Sequence, residues 1–107
     1  ELNDITPIFD VRLKKTFRGK GTGKKILRWL AEHIFTKTGH HRVEGHTRVD
    51  NIAMRKVFKS CGWVLEAYYR QVWPDSSGNY FDAVTYAILK TDWETGSTTN
   101  INWDQEK

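Results

Sequence analysis

The sequence predicts an α/β fold, with one mixed β-sheet and elements in the order β-α-β-α-β-β. Strand-like alternation of apolar and polar residues gives way twice to helical spacing, and two strands joined by a short turn close the pattern. Strands that alternate with helices imply right-handed crossovers and a parallel pair, and the closing hairpin adds an antiparallel pair. A length of 107 residues suits a single core with helices packed on the sheet.

The first strand is predicted over residues 8–13, IFDVRL, because alternate residues there fall on opposite sides of an extended chain. The glycine-rich turn RGKGTG, residues 18–23, leads from this strand into a helix that ends before Gly39. Helical spacing is found at Ile26, Leu27, Leu30, Ile34 and Phe35. We also expect Trp29 of this helix, and Trp63 further along the chain, to lie in the core.

The second strand is predicted over residues 41–49, where small or apolar residues alternate with charged or polar ones. Asp50 or Asn51 then caps a second helix, and Gly62 ends it. One face of this helix is formed by Met54, Val57, Phe58 and Cys61. Because Cys61 lies on that apolar face, we interpret it as a packing residue and not as a nucleophile.

Two long strands follow, over residues 63–72 and 80–89, and the turn-forming segment PDSSGN joins them. From Thr91 onward the chain is hydrophilic apart from Ile101 and Trp103, so we expect it to be loosely held. The sequence therefore predicts one domain over residues 1–93 and a flexible polar tail over residues 94–107.

The composition excludes several classes of protein. A single cysteine cannot form an internal disulfide, and the four histidines do not have the spacing of a zinc site. His40 and His41 are adjacent and point to opposite sides of an extended segment, so we expect no metal. No apolar stretch is long enough to span a membrane and the first residues do not resemble a signal peptide, so we expect a cytoplasmic protein without a membrane partner.

The glycine-rich turn is the strongest local signal for function. Three glycines in five residues allow a ligand to approach the backbone, and the N–H groups of the following helix favour an anion. No acidic residue occurs between Val11 and Ala31, where the basic residues are Lys14, Lys15, Arg18, Lys20, Lys24, Lys25 and Arg28. The turn therefore predicts a site for a ligand with several phosphates, and a tight turn with solvated lysines is the alternative. Its spacing matches neither a P-loop nor a dinucleotide fingerprint.

Two motifs in order resemble a known family. Arg18-x-x-Gly21-x-Gly23 after a strand resembles the acetyl-CoA pyrophosphate motif of the GNAT superfamily of N-acyltransferases. Residues 51–63, NIAMRKVFKSCGW, are similar to that family's Asn-led helix, which ends in Gly and an aromatic residue. The closing hairpin, with Asp82 before the last strand and LKTDW after it, resembles the branch that acetylates ribosomal-protein N-termini. The resemblance covers the chain from Ile8 to about Trp93.

The resemblance implies transfer of acetyl from acetyl-CoA to a primary amine by direct attack. It implies that the first strand pairs with the pantetheine arm, that the turn holds the pyrophosphate, and that Asn51 contacts the arm or the catalytic groups, with a helix cap as its alternative role. The implied cofactor-binding residues are Val11, Arg12, Leu13, Arg18, Gly19, Lys20, Gly21, Thr22, Gly23, Lys24 and Asn51. The acceptor amine is not identified.

The catalytic residues are less clearly indicated than the cofactor site. Glu44 and His46 project from the same side of the second strand and either could take a proton from an amine, while a surface pair is the alternative. Many family members place a Tyr or Ser seven residues after the Asn, where it can protonate the leaving thiolate. Phe58 occupies that position here and has no proton to give, and Phe58→Tyr is expected to supply the hydroxyl.

The chain also lacks the strands and helices that precede the first strand in the family. An uncovered first-strand edge must be paired with another chain, with a second copy across a two-fold axis, or with material absent from this sequence. Of these, we expect a homo-oligomer, at least a dimer, formed through that edge. Two alternatives to an enzyme remain. One is a non-catalytic remnant that binds CoA or oligomerises, and the other is a small basic nucleic-acid-binding protein, in agreement with the net charge of +4. The absence of a base-reading motif disfavours nucleic acid.

Overall fold

The computed structural model describes residues 8–10 and 22–103. Within these described residues, seven elements follow one another: β1 (Ile8–Asp10), α1 (Thr22–Lys37), β2 (Arg42–Arg48), α2 (Ile52–Ser60), β3 (Val64–Pro74), β4 (Tyr80–Leu89) and α3 (Lys90–Thr95). The predicted β-α-β-α-β-β order is confirmed, and the short helix α3 follows it.

The four described strands form one mixed sheet in the order β1-β2-β4-β3. β1 runs parallel to β2, with Asp10 opposite His46, whereas β4 runs antiparallel to both of its neighbours. The carboxyl ends of β1 and β2 therefore lie at the same edge of the sheet, and α1 and α2 are the helices that follow these strands along the chain. This is the predicted combination of a parallel pair and a closing hairpin.

Both longer helices pack on one face of the sheet. Burial alternates along β2, so Val43 and Thr47 face the helices while their neighbours face the other side. The core is formed by Leu27, Ala31, Ile34, Phe35, Val43, Met54, Phe58, Trp63, Val84, Tyr86 and Ile88. The opposite side of β2 presents Arg42, Glu44, His46 and Arg48, and we call this side the polar face of the sheet.

Residues next to α2 in the sequence correctly predict where this helix begins and ends. The side chain of Asn51 accepts a hydrogen bond from the backbone N–H of Met54 at 3.2 Å, as an N-cap residue does. Gly62 has a φ of +84°, the left-handed conformation that glycine adopts most easily after a helix. The predicted capping role of Asn51 is therefore confirmed.

Two expectations from the sequence were wrong in part, one about the burial of tryptophans and one about the C-terminal tail. Trp63 is buried as expected, but Trp29 is 62% exposed and stacks on His33 on the outer side of α1. The tail was expected to be loose from Thr91, but α3 extends to Thr95. The ring of Trp93 packs against Phe35 of α1, with 5.5 Å between centroids, and this tertiary contact holds a segment of polar composition in place.

Candidate functional site

The glycine-rich turn lies between β1 and α1. Most of the cofactor-binding residues proposed from the sequence in this region lie outside the described residues. These are Val11, Arg12, Leu13, Arg18, Gly19, Lys20 and Gly21. Thr22 is the first residue of α1, Gly23 is buried, and Lys24 is exposed. The first turn of α1 contains no acidic residue. Its N–H groups have no partner within the helix, so together with Lys24 they favour an anion at this end.

The two motifs of the sequence lie side by side. The Sγ atom of Cys61, at the end of α2, lies 4.0 Å from the backbone carbonyl oxygen of Lys24 in the first turn of α1. Cys61 is partly buried and packs against the core, in agreement with a packing role. Each helix follows one of the two parallel strands along the chain, and α/β sheets commonly bind ligands beyond the carboxyl ends of such strands.

A cavity of about 540 Å³ opens at the start of α2. It is lined by Thr47, Arg48, Asp50, Asn51, Ile52, Ala53 and Trp73. The Arg48 guanidinium donates to both Asp50 carboxylate oxygens, at 2.9 and 2.7 Å, and lies 3.6 Å from the centroid of the Phe81 ring. These hydrogen bonds lower the pKa of Asp50, so the carboxylate stays ionised and its charge is matched by Arg48.

Glu44 and His46 lie together on the polar face of the sheet. Nε2 of His46 is 4.0 Å from Oε1 of Glu44, and the two side chains are about a quarter exposed. Nδ1 of His46 is 2.8 Å from Oγ1 of Thr85, a buried residue directly opposite on β4. The imidazole is therefore held at Nδ1, and Nε2 faces a carboxylate.

Arg42 joins Glu44 and His46 on the polar face of the sheet. Its guanidinium donates to Glu44 through Nη1 and to Glu66 of β3 through Nη2, which joins two strands that do not pair directly. Sequence reasoning selected Glu44 and His46 but missed Arg42, Glu66 and Thr85. The alternation along β2 could have identified Arg42, because it places residues 42, 44, 46 and 48 on one side. The contributions of Thr85 and Glu66 depend on strand register, which the sequence does not specify.

Phe58 lies in the core. Its side chain is fully buried, stacks on Tyr86 with 4.9 Å between ring centroids, and contacts Trp63 at 5.1 Å. The position that carries a hydroxyl in many family members is therefore occupied here by a packing residue.

Within the described part of the chain, no group of three His, Cys, Asp or Glu side chains is arranged to bind a metal ion. None of the helices in residues 22–103 has the length and apolar character needed to cross a bilayer.

Solved structures show the same fold. A crystal structure named "Probable acetyltransferase" has 29% identity to the chain and a TM-score of 0.71, covering 77% of the chain and 46% of that protein. A dodecameric spermidine N-acetyltransferase from Vibrio cholerae has 22% identity and a TM-score of 0.71, covering 81% and 50%. A GNAT-family acetyltransferase from Bacillus anthracis has 19% identity and a TM-score of 0.66, covering 77% and 50%. The chain thus spans about half the length of these proteins.

No curated protein matches the chain. A family model does: the model of the acetyltransferase (GNAT) family matches residues 2–63, which is more than half of the chain. The matched region contains both sequence motifs and extends from before β1 to the end of α2. With the parallel β1–β2 pair and the two adjacent helices already in place, the match shows that this chain belongs to the acetyltransferase (GNAT) family.

Proposed function

We propose that this chain is the acetyl-CoA-binding part of an N-acetyltransferase that moves an acetyl group to a primary amine by direct transfer. The observation that supports this most strongly is the parallel pair β1–β2, each strand of which is followed along the chain by a helix, with the end of α2 against the first turn of α1. The first turns of α1 and α2 both lack acidic residues, so they favour a long anionic ligand.

The residues present fit such a cofactor. Lys24 at the start of α1 adds a positive charge next to the first-turn N–H groups, which have no partner within the helix. The phosphates would be held by Arg18, Gly19, Lys20, Gly21, Thr22, Gly23 and Lys24, and the pantetheine arm by Val11, Arg12, Leu13 and Asn51. Acetyl-CoA supplies an acetyl group on a thiol, which is a good leaving group.

We assign the proton-accepting role to His46. A proton on Nδ1 that is donated to Thr85 leaves Nε2 with a free lone pair. As the amine nitrogen gains the acetyl group, it would give its proton to Nε2, and the CoA sulfur would leave as a thiolate. The Glu44 carboxylate, 4.0 Å from Nε2, then stabilises the imidazolium by charge attraction.

The acceptor is proposed only as a primary amine. Spermidine is the amine named for several structural neighbours, which supports an amine acceptor in general. The hairpin resemblance favours a protein N-terminus, so both classes belong in a substrate panel. A non-catalytic CoA-binding role is the second candidate, and the burial of Phe58 favours it because no thiolate acid is present at that position.

Calorimetry with CoA and a turnover assay with a panel of amines together test the proposal. The 107-residue chain should bind CoA, and Gly21→Asp should abolish binding because a carboxylate in the turn repels the phosphates. Ser76→Asp adds the same charge at the exposed β3–β4 turn and should leave affinity unchanged. Binding without turnover for any amine would support the non-catalytic role. Full CoA affinity in a folded Gly21→Asp variant would contradict the cofactor site.

A further inference from the structure

A second cleft lies between α2, β3 and the segment that follows α3. Its volume is about 650 Å³, within the range of small-molecule sites. It is lined by Arg55, Lys59, Trp63, Val64, Leu65, Tyr86 and residues 98–103. None of these described lining residues is among those proposed for the cofactor, so we treat the cleft as a separate site.

Two cations stand at one side of this cleft. Arg55 and Lys59 are four residues apart on α2 and so share a helix face. Arg55 is held in place, because its Nε donates to the Tyr86 hydroxyl at 3.1 Å and its Nη1 donates to the Val49 carbonyl at 3.0 Å. Lys59 is exposed. Among the described lining residues there is no Asp or Glu, so the described walls of the cleft carry a net positive charge.

The floor of the cleft is apolar, and the far wall is mixed. Trp63 and Tyr86 are buried at the floor, and Leu65 also lines the cleft. Across from them, residues 98–103 contribute hydroxyl and amide groups and the indole of Trp103, which is 65% exposed. A ligand with a flat apolar body would cover these groups and exclude water from them.

We propose that this cleft binds a small amphipathic anion, in which an aromatic body carries a carboxylate, phosphate or sulfonate. The aromatic body lies between the floor and Trp103, and the anionic group faces Arg55 and Lys59. Arg55 is already oriented by Tyr86 and Val49, so little ordering is required when the anion binds.

The test uses 1-anilinonaphthalene-8-sulfonate as an aromatic anion and follows tryptophan indole signals by NMR. The signals of Trp63 and Trp103 should shift, and those of Trp29 and Trp93 should not. Lys59→Gln should weaken binding roughly tenfold, because it removes a charge-assisted contact. Lys56→Gln, an exposed lysine on the same helix outside the cleft, is the matched control and should leave affinity unchanged.

Two comparisons define the ligand class. N-phenyl-1-naphthylamine, which lacks the sulfonate, should bind more weakly than the anionic probe, and saturating CoA should not displace the probe. Equal losses in Lys59→Gln and Lys56→Gln, or shifts of all the tryptophan signals together, would overturn the proposal. Displacement of the probe by CoA would assign the cleft to the cofactor site and would also overturn the proposal. The affinity for CoA, measured separately, tests the proposed function.

Discussion

At the scale of single residues, His46 is the side chain whose surroundings best define a chemical role. Its two ring nitrogens face different groups, the buried Thr85 hydroxyl on one side and the Glu44 carboxylate on the other. A histidine fixed in this way has one nitrogen committed to the protein and one available for proton transfer. Its usefulness as a base follows from the register of β2 and β4, because that register places Thr85 opposite it.

We therefore expect His46→Gln to lower the acetylation rate by about 10² to 10⁴, the range that a general base contributes. CoA affinity measured by calorimetry should be unchanged, because the loss is in proton transfer. Thr85→Val removes the partner of Nδ1 and should cause a smaller loss of rate. A His46→Gln variant with the wild-type rate across the pH range would show that a different group takes the proton.

Phe58 gives a second prediction at this scale. The sequence suggested that Phe58→Tyr would supply a hydroxyl to the chemistry, but the ring is enclosed by Tyr86 and Trp63. A hydroxyl added there is buried, and an unsatisfied one costs about 1–3 kcal/mol. We expect urea unfolding to show a less stable protein and the turnover assay to show no gain in rate. A faster and equally stable Phe58→Tyr variant would show that this position reaches the reacting groups.

At the scale of elements, α2 shows how a local signal and a functional role can share one residue. Asn51 caps the helix and also belongs to the proposed cofactor site. Asn51→Ala should lower the free energy of unfolding by about 1 kcal/mol through loss of the cap. Asn51→Ser keeps a capping oxygen and should restore stability. If Asn51 also contacts the cofactor, both variants should weaken CoA binding, and full CoA affinity in Asn51→Ser would leave it with the capping role alone.

The edge strand β3 contains an irregularity that depends on a carboxylate. Gln71 has a φ of +53°, and its N–H donates to Asp82 at 2.8 Å, while the Tyr68 hydroxyl donates to the other oxygen of the same carboxylate. The hydrogen bond from Tyr68, followed by that from Gln71, lowers the pKa of Asp82. A carboxylate whose pKa is lowered in the folded state stabilises the fold at pH values above its ordinary pKa of about 3.9. That contribution is lost as the pH falls through the folded-state pKa.

We therefore expect the free energy of unfolding to decrease in acid, and Asp82→Asn to decrease the slope of that dependence. Asp50 and Asp75 have pKa values lowered in the same direction, so a slope of reduced size should remain. Denaturant unfolding at a series of pH values measures the effect. An unchanged slope in Asp82→Asn would show that the carboxylate does not hold the β3 irregularity in solution.

The elements also show where sequence reasoning is sufficient. α2 was predictable because its cap, apolar face and terminating glycine are all local in sequence. α3 was not, because its stability depends on Trp93 meeting Phe35 from a helix more than fifty residues earlier. The same limit applies to the candidate site: the alternation along β2 brought Glu44 and His46 together, whereas Thr85 and Glu66 join them through register alone.

At the scale of the whole molecule, the two edges of the sheet differ. β3 carries irregularities and the charged residues Glu66 and Arg70, which are features that prevent strands from adding to an edge. β1 pairs with β2 on one side, and within residues 8–10 and 22–103 no strand pairs with its other side. A dimer formed by strand addition is therefore expected at β1.

We predict that the 107-residue chain, expressed alone, sediments as a dimer or a larger assembly at micromolar concentration. Phe9→Pro removes a backbone N–H from β1 and should shift the mass toward that of one chain. Val72→Lys changes an exposed residue of the opposite edge strand and should leave the mass unchanged. Circular dichroism of each variant separates loss of assembly from loss of folding. A folded wild-type monomer would contradict the prediction, and a mass that responds to Val72→Lys but not to Phe9→Pro would place the interface at β3.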